Sequence, residues 1–501
     1  MTDVKPAKRL RKRPQKLDVS YGERSEQISP IGTRYSTAMA EIFGDIGYLD
    51  SLLATEAAST MALSELYPKK IPRPDAKRIV SVADTTHVPP SEIRATEATE
   101  THHEMGAVIK ELAKKAGTSG RYVHYTLTSA DAVESGKAMQ LKRGIELLLC
   151  TVERLRDASL TAAEEWRDIP CITRTHGQHA IPSSFGFAFA FFGYCLEKSA
   201  TRLEYDLGHF VEGKLSGAVG TYDTATDEGM DGMAIEHRAM QMLGIRPSGI
   251  STQMPPRENI AAIISDIAIL CGRVESMANY VKLLKRTEIL ELEETPDVRT
   301  VSSSAMPHKN LHGNPYIEER CMSIAKVVRG YASSALESVS SEDFRDLSAS
   351  LSDRVIIPES FVLADYACRL MENVINRVDP VAENISRNLN ATLGTVTSPR
   401  VMSRLISAGA SREGARKIVR EDAISAARTG AQYSDVLLAD RRVTALLSRK
   451  EIIGLSDPRT YLGMSKKIID RTVSAYKGKK HSGMRERKRR AKPQNNFKNV
   501  V

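Results

Sequence analysis

Aromatic residues are scarce in this chain, at 5% of 501 positions with a single Trp. Ala, Leu, Ile and Glu are plentiful instead, a mixture that suits helices better than sheets. No apolar run approaches the ~20 residues that span a bilayer, so no membrane span is expected. No apolar leader follows the N-terminus, so no secretory signal is expected. The six cysteines, Cys150, Cys171, Cys195, Cys271, Cys321 and Cys368, are scattered in apolar contexts without a Cys-x-x-Cys pair. They read as reduced, mostly buried thiols of a cytoplasmic protein, not as a zinc or disulfide framework. There is no strand-rich region, no dinucleotide glycine fingerprint and no phosphate-binding P-loop. No carboxylate or His stands four residues after His102 or His103, so no metal and no cofactor are expected.

Hydrophobic content is 41%, ample for a core, and the length suggests about three domains. The formal charge of +9 is unevenly placed. Residues 1–20 carry a net +5 and residues 475–501 a net +9, which leaves the body at −5. Lys8–Arg13 and Arg485–Lys492 lack hydrophobic periodicity and are expected to be disordered. Such tails either bind polyanions weakly, with steep salt dependence, or are simply solvated. The expected organisation is a basic tail over 1–27, an N-terminal helical domain over 28–127, a central long-helix bundle over 128–378, a C-terminal helical domain over 379–474, and a second basic tail over 475–501.

Helical periodicity is clearest after Ser251-Thr-Gln-Met-Pro-Pro-Arg257. Ile260, Ile264, Ile267, Cys271, Val274, Ala278 and Val281 alternate steps of four and three, an a/d seam over about three heptads. Leu141, Ile145, Leu148, Val152 and Leu155 predict an amphipathic helix over 132–168. Thr128 or Ser129 is its expected N-cap, with Asp131 in the first turn. Helices are also expected over 36–66, 91–116, 183–212 (buried all round), 316–338 and 356–378.

Polar loops separate these helices and carry the reactive groups. Arg34-Tyr35 at a helix start suits an anionic group such as phosphate. The Thr173–Pro182 stretch places His176 on an irregular backbone between two helices, and His is the side chain best suited to proton transfer near neutrality. Arg345 and Arg354 flank hydroxyls and suit an anion clamp. Ser302–Pro315 combines three serines, Gly, Pro and Lys309. A serine hydroxyl becomes a useful base only if neighbouring donors stabilise its alkoxide, and free N–H groups with Lys309 would supply them.

Taken in order, these stretches resemble a known family. Ser302–Pro315 resembles the Gly-Ser-Ser-x-Met-Pro-x-Lys-x-Asn-Pro signature of the fumarase/aspartase superfamily, and Thr128–Asp131 and Thr175–Gln178 resemble its two other signature stretches. Ser29–Tyr35, Thr252–Arg257 and Arg345–Ser350 look like the adenylosuccinate lyase branch. The resemblance implies an all-α, three-domain homotetramer with a central helix bundle and active sites shared by three subunits. It implies β-elimination of fumarate from a nucleotide, adenylosuccinate, and from the succinyl-carboxamide imidazole ribotide of purine synthesis. By the same resemblance Ser303 matches the base, His176 the acid, and Glu319 the carboxylate that orients that His. Arg34 and Tyr35 match phosphate ligands. His102, His103, Glu104, Thr128, Ser129, Gln253, Lys309, Asn314, Arg320, Arg345, Ser350 and Arg354 match other substrate contacts. The chain departs from the pattern at Ser302, Glu104 and Thr126, and four residues separate Lys309 from Asn314 where the signature has one. A sister lyase or cycloisomerase acting on argininosuccinate, a dicarboxylate or a carboxymuconate is the alternative, and a nucleic-acid-binding scaffold is a third reading.

Overall fold

The computed structural model describes residues 30–32, 34–294, 305–306 and 308–481. Ser303, Ser302 and most of both tails lie outside the described residues. The helices used below are α1 (Asp45–Leu66), α2 (Glu104–Ala116), α3 (Ser129–Glu165), α4 (Phe187–His209), α5 (Glu258–Leu284), α6 (Tyr316–Glu337), α7 (Ser348–Ile375) and α8 (Ser465–Tyr476). The strands are β1 (Pro170–Thr175), β2 (Gln178–Ser184), β3 (Leu292–Glu294) and β4 (Val378–Pro380). The protein is all-α apart from a few short two-stranded pairs.

The seam predicted from sequence is a core stripe. Every one of its seven residues on α5 is buried. With 37 residues, α3 is about 55 Å long at 1.5 Å per residue. It packs on α1, α4 and α7, while α5 packs on α4, α6 and α7, which gives a bundle of long helices. A second hydrophobic cluster joins Leu52, Val82, Ile93, Val108 and Leu112 ahead of the bundle. A third joins Val401, Leu405, Tyr433 and Leu437 after it, among shorter helices. All six cysteines are free thiols and four are buried. No helix among the described residues is long and apolar enough to cross a membrane.

Close approach constrains several glycines, Gly144 among them. A Cβ on Gly144 of α3 would come within 2.7 Å of the Phe43 ring and 3.0 Å of the Phe361 ring. Those two rings stack with centroids 4.9 Å apart and have no flexible end to yield. Gly144→Ala is therefore expected to destabilise the fold by about 1–3 kcal/mol through overpacking, read as a lower denaturant midpoint.

The structure departs from the sequence reading in several places. The helix expected over 91–116 is interrupted by a π-helical turn at Glu97–Thr101, and α2 begins afresh at Glu104. The expected loop around His176 is a β-hairpin. The helix expected from 356 starts eight residues earlier, so Ser350 and Arg354 are helical. The helix expected to be buried all round exposes Phe191, Tyr194 and Tyr205.

The C-terminal boundary also shifts. The basic tail was expected from residue 475, yet α8 packs on α3 and α4 and the chain stays docked through His481. Lys477 pairs with Glu164 at 2.6 Å, Lys479 with Glu197, and Lys480 with Glu153 at 3.0 Å. His481 is buried between Glu204 (2.8 Å) and Glu197 (3.3 Å). Arg156, fully buried, reaches Glu197 at 2.7 Å and donates to the Lys479 carbonyl. Carboxylates on α3 and α4 hold this strap because buried charge persists only when paired.

Candidate active site

The candidate residues gather first at the N-terminal ends of α3 and α7. Thr128 caps α3, its N–H donating to Asp131 Oδ2 at 2.8 Å, as the capping pattern predicts. Ser129 is the first helical residue. The other Asp131 oxygen accepts from Lys214 Nζ at 2.7 Å, a pair with both side chains fully buried. Lys214 also donates to the carbonyls of Gly217 (2.7 Å) and Gln253 (3.2 Å). One buried ammonium thus ties the loop around Gly217 and the Gln253 loop to the start of α3. Gln253 Oε1 in turn accepts from Arg345 Nη1 at 2.7 Å.

Beside this junction lies a cavity of about 210 Å³ between α1, α3 and the first turns of α7. Glu104, Arg345, Ser350 and Arg354 line it. Five acidic and four basic side chains face it in all. At its base Asp353 accepts from Lys137 (2.9 Å) and Arg257 (2.5 Å). Burial pushes the Asp353 carboxyl up, but these two cations outweigh it and hold it below the ordinary carboxylate range. Pro358, inside α7, cannot donate to the Arg354 carbonyl, so the helix ladder is broken where it borders the cavity.

The π-helical turn places Glu104. It ends at His102 in a left-handed conformation (φ 48°), and His103 then caps α2 by accepting from Gly106 N–H at 3.0 Å. His102 and His103 are exposed. Glu104 accepts from Tyr48 Oη (2.9 Å) and takes both arms of Arg354 (2.6 and 3.2 Å). Burial and the neighbouring Glu104 raise the Tyr48 hydroxyl well above its usual range, so it stays a donor. The expected clamp is accordingly asymmetric. The Arg354 fork is engaged by Glu104, whereas Arg345 keeps a buried Nε without a partner.

A second group lies further along α7. Tyr35 meets Tyr366 with ring centroids 5.5 Å apart, and Arg320 donates to Tyr366 Oη at 3.0 Å with its guanidinium 5.9 Å from the Tyr35 ring. Arg34 is exposed beside it. Tyr366 follows Arg354 by twelve residues, about 18 Å along a helix.

His176 stands at the tip of the β1–β2 hairpin, exposed, with φ 55° followed by 73° at Gly177. Two successive left-handed residues make the tight turn that suits a twisted hairpin. The hairpin base is fixed by Arg174, which grips Glu291 at 2.6 and 3.1 Å. Glu319 is exposed and faces Lys282 at 3.3 Å. No hydrogen bond or ion pair joins it to His176 among the described residues. Lys309 is exposed and Asn314 half-buried on the stretch leading into α6. Sequence reasoning missed Tyr48, Lys137, Lys214 and Asp353. Tyr48 and Lys137 sit in ordinary helical sequence, and nothing local signals what Lys214 and Asp353 meet.

A long-helix bundle with reactive residues on its loops and helix ends defines a class. A family described as lyase matches residues 55–330, and a region described as adenylosuccinate lyase C-terminus matches residues 394–472. The fold is similar to that of a fumarate lyase from Mesorhizobium sp. BNC1 (TM-score 0.79, 24% identity, 88% of this chain and 98% of that one). It is also similar to that of 3-carboxy-cis,cis-muconate lactonizing enzyme from Pseudomonas putida (TM-score 0.78, 24% identity, 88% and 97%). The adenylosuccinate lyase of Methanothermobacter thermautotrophicus is 35% identical over 89% of this chain and 98% of its own length. That of Methanocaldococcus jannaschii is 31% identical over 91% and 97%. The chain belongs to the adenylosuccinate lyase family.

Proposed function

We propose that this chain eliminates fumarate from adenylosuccinate to give AMP, and from the succinyl-carboxamide imidazole ribotide to give the free carboxamide, as a cytoplasmic homotetramer with shared sites. The observation that carries the substrate assignment is Arg345, whose buried, unpartnered Nε borders the cavity. A guanidinium N–H left unpaired at such a place fits a carboxylate or phosphate oxygen. In the reaction, the Ser303 alkoxide takes the Cβ proton, the adjacent carboxylate delocalises the carbanion, and the Cα–N bond breaks. His176, protonated, hands its proton to the departing nitrogen, and Glu319 orients that imidazole. His176 and Arg345 lie on separate parts of one chain, so neighbouring subunits supply the missing parts. Exposed large apolar side chains on α4, α5 and α6, among them Phe191, Tyr205, Ile269 and Val327, support that association. The basic tails add weak polyanion binding.

Mixing the purified protein with adenylosuccinate and following AMP and fumarate by absorbance tests the reading. No turnover would defeat it. Arg345→Met is expected to raise KM about 10- to 100-fold, the loss of one charge-assisted hydrogen bond. An unchanged KM would remove Arg345 from the substrate's ligands.

A further inference from the structure

The Ser302–Pro315 stretch is flanked by two limbs that the structure describes. The leading limb is β3, which pairs antiparallel with β4 at the end of α7. The trailing limb runs from His308 into α6. Glu294 N–H donates to the His312 carbonyl at 3.0 Å. His312 Nδ1 lies 2.8 Å from Glu293 Oε2. Beneath them Lys285 Nζ, fully buried, holds Glu294 Oε2 and Glu318 Oε1, each at 3.0 Å. One cation thus joins the end of β3 to the first turn of α6. Gly313 lies directly against this cluster at φ 88°, and a Cβ there would come within 2.8 Å of Glu294 Cβ. Gly313 N–H closes a turn on the Asn310 carbonyl at 3.1 Å, with Asn310 itself at φ 70°.

These contacts fall on Asn310–Gly313, four residues where the family signature has one. We propose that the insertion is a clasp and that His312 is a positioning residue for the elimination. Its carbonyl and imidazole fasten the trailing limb to β3 and so fix Lys309 and Asn314 on either side. The inference rests on reading Ser302–Pro315 as the catalytic loop. The His312 and Glu293 side chains are 51% and 41% exposed. A pair that open to water contributes little to stability, so its effect falls on geometry. Small displacements of reacting groups cost rate steeply.

The test compares kcat, KM and the denaturant midpoint of the full chain with those of His312→Ala, His312→Gln and Glu293→Ala, using adenylosuccinate. His312→Ala is expected to lower kcat about tenfold with KM and midpoint nearly unchanged. Glu293→Ala should match it, and the double variant should add nothing further. His312→Gln, which keeps an N–H for Glu293, should recover most of the loss. Full kcat in His312→Ala, or a joint fall of kcat and midpoint that Gln does not rescue, would overturn the inference. A wild-type chain inert toward adenylosuccinate would instead overturn the functional reading, and the inference with it.

Discussion

Ser303→Ala is expected to lower turnover of adenylosuccinate by about 10²- to 10⁴-fold, the range for losing a group that moves a proton in the transition state. His176→Ala should fall by a similar factor. Binding should survive in both, because neither side chain is asked to hold the ground state. Their combination discriminates further. His176 is exposed at a hairpin tip, and no contact among the described residues ties it to the Arg345 cavity. If each site draws the two groups from different subunits, mixing the inactive variants under subunit exchange regenerates some sites with both groups intact. Recovery of activity on mixing supports shared sites. Persistent inactivity of a well-exchanged mixture would mean that one chain supplies both, and near-normal turnover of either single variant would remove that residue from the chemistry.

The second large effect concerns the strap. Ending the chain at Tyr476 removes Lys477, Lys479, Lys480 and His481, which leaves buried Glu153 and Glu197 short of partners and takes the Lys479 carbonyl from Arg156. Of the pairs removed, His481–Glu197 is buried on both sides, and stripping one side from such a pair costs about 3–5 kcal/mol; the lysines, nearly half exposed, add less. The denaturant midpoint of that truncation should drop accordingly, whereas ending the chain at His481 should leave midpoint and turnover intact. Equal behaviour of the two truncations would sink the idea. The strap is also pH-dependent. Hydrogen bonds to Glu197 raise the His481 imidazole despite its burial, and the partners hold Glu197 down at about 2. A raised His stabilises fully below the unfolded value near 6.5, and the contribution is lost as pH climbs through the higher folded value. Glu197 contributes above about 4.5 and loses its share as pH falls toward 2. His481→Ala should therefore flatten the decline in stability above neutrality, measured as midpoint against pH.

Much of the scaffold was legible because helix periodicity is a local signal. The α5 seam and the Thr128–Asp131 cap are written in residues three and four apart, and both stand as read. The hairpin under His176 was not legible. Cys171–Thr175 is short, with two apolar residues followed by three polar ones and no alternation, and its strand character comes from pairing with Gln178–Ser183. The π-helical turn at Glu97–Thr101 was hidden for a similar reason. Its extra residue is set by the His103 cap and by the grip of Arg354 on Glu104, 250 positions away. The reactive residue types could be found by their company on loops. That Glu104 takes both arms of Arg354 while Arg345 bonds Gln253 and keeps a spare Nε could not, since that depends on Glu104 and Gln253 arriving from elsewhere.

The near balance of acids and bases around the cavity bears on what an unassembled chain would do. With five carboxylates against four cations, that surface offers no net pull on a phosphate dianion. On the proposed shared-site assembly, Arg34, Arg320 and Lys309 of neighbouring copies would supply the missing positive charge. On that proposal, an unassembled chain is expected to hold a nucleotide phosphate weakly, and affinity should rise with protein concentration as copies associate.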